Sequence, residues 1–258
     1  MFTKDTNKGA TILMRIQHFI FCIGFSIIIS WFFLMSEAYG DELDCIIEPY
    51  LVVNVGSEVP GVIEKVDVDR GDFVKKGQIL ARLQSKVEQA NVELIRARLD
   101  FAIRDHKRNS ELYKDGVIPF YDMDKAETNL EIVKRELKQA EEVVERRIIR
   151  STIDGVVVER FLSAGDRVEQ QPIMKLAQID PLNVEVIAPV TMFGSVKVGA
   201  RAEVKPEKPV GRVYIGRIKI VDHVIDAASG TFRIRIELPN EKYRLPAGLK
   251  CSVRFLKR

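Results

Sequence analysis

The residues with the chemistry for catalysis or metal binding stand apart from one another. His18, His106 and His223 are the only histidines, isolated in the apolar N-terminal run, a helical stretch and the β-rich C-terminal part, and no two of them fall at the spacing that puts two ligands on one turn or helix face. Asp67, Asp69 and Asp72 alternate along a strand and turn, a pattern that presents oxygens to a hard cation. Lys65, Arg70, Lys75 and Lys76 interleave with them, so a solvated charged face is the expected reading. No glycine-rich phosphate loop and no nucleophile elbow occurs. The sequence therefore predicts no catalytic residue, no metal site and no bound cofactor. One cofactor question is left.

The stretch GDFVKKGQIL, residues 71–80, has the look of the turn in a small carrier domain that holds biotin or lipoate. Such a domain is one uninterrupted unit with a modifiable lysine at a hairpin tip. Here LARLQSKVEQ runs on into a helical pattern. The nearest lysine, Lys86, sits among Ser85, Val87 and Glu88 at the start of that pattern. A second stretch explains the shape instead. A shift of 94 residues aligns GVIEKVDVDRGDFVKKGQIL from Gly61 with GVVVERFLSAGDRVEQQPIM from Gly155. Each copy reads as a β-branched strand, a Gly-Asp turn suited to positive φ and another short strand. Gly61, Gly71, Gly155 and Gly165 are assigned as the turn glycines of the two copies. Neither copy buries enough alone, so the pattern requires Gly61–Leu83 to meet Arg150–Ala177 in one β-sandwich.

Between the copies the period changes. Val87, Ala90, Leu94, Ala97 and Phe101 follow steps of three and four, as do Met123, Ala126, Leu130, Val133, Leu137, Ala140 and Val144. The first run stops at Lys114-Asp115-Gly116, and the second begins at Pro119, read as a first-turn residue. The spacing predicts an antiparallel helical hairpin with arms of about 45 Å, projecting from the sandwich. After residue 183 the pattern is all β. Phe232, Ile234, Ile236 and Leu238 alternate with Arg233, Arg235 and Glu237, and Gly199, Gly211, Gly216 and Pro239-Asn240 punctuate short strands. The fold class is mostly β with an inserted coiled-coil hairpin. The expected segments are 41–83 for the first half of the sandwich with its leading strand, 84–149 for the hairpin, 150–180 for the second half and 181–258 for a small barrel.

Ile16–Met35 is almost wholly apolar and follows Lys4, Lys8 and Arg15. Ala38-Tyr39-Gly40 supplies small residues at a cleavage site, so residues 1–40 read as a signal peptide. An uncleaved membrane anchor is the rival reading, since about 20 apolar residues also span a bilayer. Either way the rest lies outside the cytoplasm. No lipid-attachment motif precedes Cys22 or Cys45. Cys45 and Cys251, near the two ends of the exported chain, either pair as a disulfide or remain buried thiols. Forty basic against thirty-seven acidic residues leave a net charge of +3. Both signs are interleaved throughout, which argues against nucleic-acid binding.

A split lipoyl-like sandwich with a hairpin between its halves resembles the membrane fusion protein family, the periplasmic adaptors of tripartite efflux pumps. GSEVPGVIEKVDVDRGDFVKKGQILARLQS looks like its first half-motif and IRSTIDGVVVERFLSAGDRV like its second, with Thr152 where many members have proline. IDPLNVEV, GTFRIRIELPN and LPAGLKCSV are similar to its barrel domain, so the resemblance spans residues 46–255. Arg258 follows closely on the last barrel-like strand, and the membrane-proximal domain of longer members is expected to be absent.

The resemblance implies a non-enzymatic adaptor without a cofactor, bridging an inner-membrane transporter of the RND type to an outer-membrane channel as a homo-oligomer, by implication a hexamer. An adaptor for ATP-driven secretion is the alternative, with a biotin or lipoyl carrier third. Family members dock on the channel through an Arg, a Leu four residues on and a Ser seven further. Arg108 and Leu112 match, but Pro119 stands in the serine position, with Asp115 and Tyr121 as candidates to compensate. Val117 and Ile118, apolar residues at the tip of a long rod, complete the expected docking set.

Overall fold

The computed structural model describes residues 42–256. The readings made for residues 1–40, with His18 and Cys22, lie outside the described residues. The chain forms β1 (Leu43–Val55), β2 (Gly61–Val66), β3 (Phe73–Val74) and β4 (Ile79–Leu83) before helices α1 (Lys86–Lys114) and α2 (Phe120–Glu145). It continues through β5 (Ile148–Arg150), β6 (Gly155–Arg160), β7 (Arg167–Val168) and β8 (Met174–Pro189) to a 3₁₀ turn at Val190–Met192. Strands β9 (Arg201–Pro206), β10 (Tyr214–Val221), β11 (Thr231–Leu238) and β12 (Lys250–Phe255) follow.

The two copies of the repeat exchange strands. Gly61 lies opposite Val168 where β2 pairs with β7, and Val74 lies opposite Gly155 where β3 pairs with β6. Adding 94 to 61 and 74 gives 155 and 168, so the two pairings are one contact repeated about a pseudo-twofold axis. The hydrogen bonds repeat as well. Gly71 N–H donates to Val157 O at 2.8 Å, and Gly165 N–H donates to Ile63 O at 2.8 Å. Ser57 and Ser151 close equivalent turns, each hydroxyl donating at 2.6 Å to the carbonyl two residues on. One sheet has the order β5-β4-β2-β7, and the facing layer takes β3, β6 and the inner lengths of β8 and β1. Val55, Ile63, Val74, Leu80, Leu83, Val157, Val168 and Leu176 are buried between them.

Strands β1 and β8 run on into a second module. The ring β1-β12-β9-β10-β11-β8 closes through pairing of β1 with β8, making a six-stranded barrel. Its core includes Ile47, Val184, Val204, Ile218, Phe232, Ile234, Ile236 and Val253. The outer part of β1 is thus a barrel strand, not part of the sandwich half expected over 41–83, because Leu43–Ile46 hydrogen-bond to β12. In that register Cys45 faces Cys251, and their sulfurs are joined at 2.04 Å. Where the modules meet, the buried Asn240 side chain donates to Ile179 O and Leu245 O, both at 2.8 Å, and accepts from Leu245 N–H at 2.9 Å. Phe73 stacks on Tyr243 across the same junction, with ring centroids 4.6 Å apart.

The glycines divide by role. Gly71 and Gly165 occupy the two turns with φ of +95° and +93°, a region costly to any residue with a Cβ. Gly61 and Gly155 are not turn residues, contrary to the sequence expectation. They open β2 and β6, and a Cβ on Gly155 would lie 2.3 Å from the Ala177 carbonyl oxygen. Gly155→Ala is expected to destabilise the chain by about 3 kcal/mol, since the backbone of β8 must move. Gly165→Ala should cost about 1–2 kcal/mol, for backbone strain alone. Urea unfolding of both variants checks the order.

Candidate functional site

At the base of the hairpin, α1 and α2 leave adjacent strands of the sandwich. Arg147 holds Glu88 through a partly buried ion pair and donates to Pro60 O, and farther along Arg96 pairs with Glu141 at 2.8 Å. At 29 residues, α1 is about 44 Å long. The α2 face follows the sequence pattern: Ala126, Leu130, Val133 and Ala140 are buried, and Leu137 and Val144 partly so. The α1 face does not. Its inward residues are Val92, Ile95, Leu99 and Ala102, whereas Leu94 is 53% and Phe101 58% exposed, with Val87 more so. Periodicity misassigned the seam because α1 carries two apolar stripes. The true one continues at both ends as polar residues, Ser85 and Glu88 at the base and His106 and Asn109 near the tip, all of them buried or half-buried. Leu94, Ala97 and Phe101, with Arg98, Asn129 and Val133, instead line an open apolar groove of about 410 Å³.

The tip is built by the backbone. Gly116, at φ +70°, donates to Tyr113 O at 3.0 Å, and Val117 N–H donates to Leu112 O at 2.9 Å. These two bonds form a Schellman stop, which satisfies the last carbonyls of α1. Pro119 is the N-cap of α2, not its first helical residue, and its carbonyl accepts from Asp122 N–H at 3.1 Å. Being proline, it makes no side-chain cap.

Around this turn Arg108 is exposed and paired at 2.7 Å with Asp105, one turn before it. Leu112 and Ile118 are half-buried, Val117 is exposed and Asp115 is the exposed C-cap. The sequence reading missed Tyr113 and Phe120, whose rings meet edge-to-face across the turn at 5.9 Å. With Phe120 59% and Tyr121 70% exposed, the tip is an aromatic knob. Aromatics flanking the KDGVIP turn were the available signal.

Among the described residues no group of three or more His, Cys, Asp or Glu side chains could hold a metal ion. Asp67 pairs with Lys65 and Arg82, Asp69 pairs with Arg160 from the other copy of the repeat, and Asp72 accepts from Asp69 N–H. The Lys65 hydrogen bond holds the Asp67 carboxyl below the usual carboxylate range, and the Arg70 backbone N–H does so for Asp69. Their contribution to stability is therefore present above that range and is lost as pH falls below it, through the lowered values of the folded chain. Lys86 is the first residue of α1, not a hairpin tip.

The described chain is thus a sandwich split by a helical hairpin and joined through two continuous strands to a closed six-stranded barrel. Residues 51–178 match the CzcB-like barrel-sandwich hybrid domain, and residues 182–258 match the CusB-like beta-barrel domain. The chain belongs to the membrane fusion protein family. It is 25% identical over 235 residues to the multidrug resistance protein MdtE of Escherichia coli, covering 78% of this chain and 60% of that one. It is 23% identical over 216 residues to the cobalt-zinc-cadmium resistance protein CzcB of Cupriavidus metallidurans, covering 78% of this chain and 41% of that one. The chain thus spans about half the length of these relatives. A MacA-MexA chimera containing the Pseudomonas aeruginosa MexA hairpin has the same fold. Its TM-score is 0.70 at 23% identity, over 84% of this chain and 78% of that one.

The seam assignment has a direct check. Ile95→Ala should lower the unfolding free energy by about 2–4 kcal/mol, because Ile95 is buried between the helices. Leu94→Ala, on the outer stripe, should cost less than about 1 kcal/mol in the isolated chain. Equal losses would mean that the helix faces α2 differently.

Proposed function

We propose that the chain is a periplasmic, non-enzymatic adaptor that couples an inner-membrane efflux transporter of the RND type to an outer-membrane channel. The observation that carries this reading is the aromatic knob of Tyr113, Val117, Phe120 and Tyr121, at the far end of a rod about 40 Å long. Exposed apolar side chains at such a distance from either β core gain nothing for folding, so they are accounted for by a partner. Arg108 supplies a cation one turn below the knob, suited to carbonyls or carboxylates at the end of a partner helix. The names of the relatives cover both metal and multidrug resistance. The transporter, not the adaptor, is the natural seat of that choice.

Several copies act together. One hairpin cannot enclose an exit path, whereas a ring of them can, and six is the number the family implies. The second heptad stripe, Val87, Leu94 and Phe101 with Ala90 and Ala97, supports this assembly. It has the spacing of a coiled-coil seam, yet Val87, Leu94 and Phe101 stay exposed beside α2.

Two experiments test the reading. A photoreactive side chain at position 121 should cross-link to an outer-membrane protein in intact cells, while one at exposed Lys138 on the hairpin shaft should not. Failure at 117, 120 and 121 alike would remove tip docking. Leu94→Asp with Phe101→Asp should leave helical content unchanged and reduce the multimer to single copies in sedimentation. An unaltered multimer would place the assembly contact elsewhere.

A further inference from the structure

The barrel has one end turned toward the sandwich and one turned away. Strand directions place the same features at the outer end: residues 190–200 between β8 and β9, residues 222–230 between β10 and β11, the start of β1 and the end of β12. Four contacts fix this. Pro189 pairs with Thr231, Val190 N–H donates to Gly230 O at 2.9 Å, Leu43 lies opposite Val253, and Leu256 N–H donates to Arg201 O at 3.0 Å. Met192 and Val196 of these loops pack on the barrel core, but other apolar residues face solvent. Val190, Phe193, Val198 and Ile225 are exposed, and Val224 is 81% exposed.

The loops that carry them are ordered. The Asp226 carboxylate accepts from Ala228 N–H at 2.9 Å, which together with Ser229 holds it below the usual range, and the Asp226 backbone bridges to Thr231. Phe193 meets the core residue Phe232 edge-to-face with centroids 5.3 Å apart. The charges at this end are uneven in their pairing. Asp222 is paired with Arg233. Arg201 and Arg217 lie directly opposite each other on β9 and β10, with Glu237 of β11, itself paired with Lys219, on the far side of Arg217, and neither arginine forms an ion pair among the described residues. Two like charges side by side on neighbouring strands are unfavourable unless an anion lies between or above them.

The sequence supplies the occupant. The apolar run Ile16–Met35 is followed by only seven residues, Ser36–Glu42, before β1 begins. Fully extended, seven residues reach no more than about 25 Å. A chain that keeps the run in a bilayer therefore holds this barrel end at the membrane surface, where apolar tips with adjacent cations suit an interface of acyl chains and anionic headgroups.

We propose that the outer end of the barrel seats on the periplasmic surface of the inner membrane. Phe193, Val224 and Ile225 enter the headgroup boundary, and Arg201 and Arg217 lie over lipid phosphates. This rests on the rival reading of residues 1–40 as an uncleaved anchor and on the chain working outside the cytoplasm, but not on what the hairpin tip binds.

The full chain offers a clean probe, because Trp31 is its single tryptophan. In a Trp31→Phe background, Val224→Trp, Phe193→Trp and, as a control at the hairpin tip, Val117→Trp are each reconstituted into vesicles of phosphatidylethanolamine and phosphatidylglycerol. Brominated acyl chains should quench the indoles at 224 and 193 about twofold or more and leave the one at 117 unchanged. Adding Arg201→Glu and Arg217→Glu should relieve that quenching. Equal emission from 224 and 193 in brominated and plain vesicles would overturn the proposal. Quenching that survives the double arginine reversal would overturn the role given to the phosphates.

Discussion

The structure depends on one reciprocal contact: two pieces of chain 94 residues apart lend each other a strand. Neither four-stranded sheet of the sandwich is made from one copy of the repeat alone, so neither copy can hold its core closed by itself. Everything between the copies must leave and return at neighbouring points. A helical hairpin satisfies that demand at low cost, since its arms start and finish side by side. The Glu88–Arg147 pair and the Arg147 bond to Pro60 fasten it where it departs. The rod is a consequence of the exchange, and its reach is what the adaptor reading uses.

The same economy governs the other end. Strands β1 and β8 belong to both modules, so the barrel is joined to the sandwich by two continuous strands. Asn240, with every polar atom of its side chain bonded to backbone, and the Phe73–Tyr243 stack keep the junction from opening. Among the described residues, three of the places where exposed apolar side chains gather lie away from that junction. They are the hairpin tip, the outer stripe of α1 and the far end of the barrel. Three such surfaces fit a part that touches a channel, its own copies and a membrane or transporter.

Much of this was legible in the sequence, and the exceptions have physical causes. The repeat was readable because its turns demand glycine at fixed positions and its strands demand β-branched residues. Gly61 and Gly155 were misread as turn glycines because close approach leaves the same mark as positive φ. The α2 seam was readable from apolar spacing alone. The α1 seam was not, because its ends are polar and a better-looking stripe lies beside it. That stripe departs from single-chain logic, as expected of a surface selected for contact with another molecule. The barrel share of β1 escaped notice because strand pairing over 206 residues, as between Cys45 and Cys251, leaves no local trace.

Strand exchange is tested most directly by cysteine pairs placed across it. The account predicts that Val62→Cys with Arg167→Cys, and its symmetry mate Phe73→Cys with Val156→Cys, each oxidise to an intramolecular disulfide identified by peptide mass. These residues are direct partners in the two exchanged ladders. The mismatched pair Val62→Cys with Val156→Cys should not link. Linkage of the mismatched pair, or bonds that form only between chains, would contradict the account.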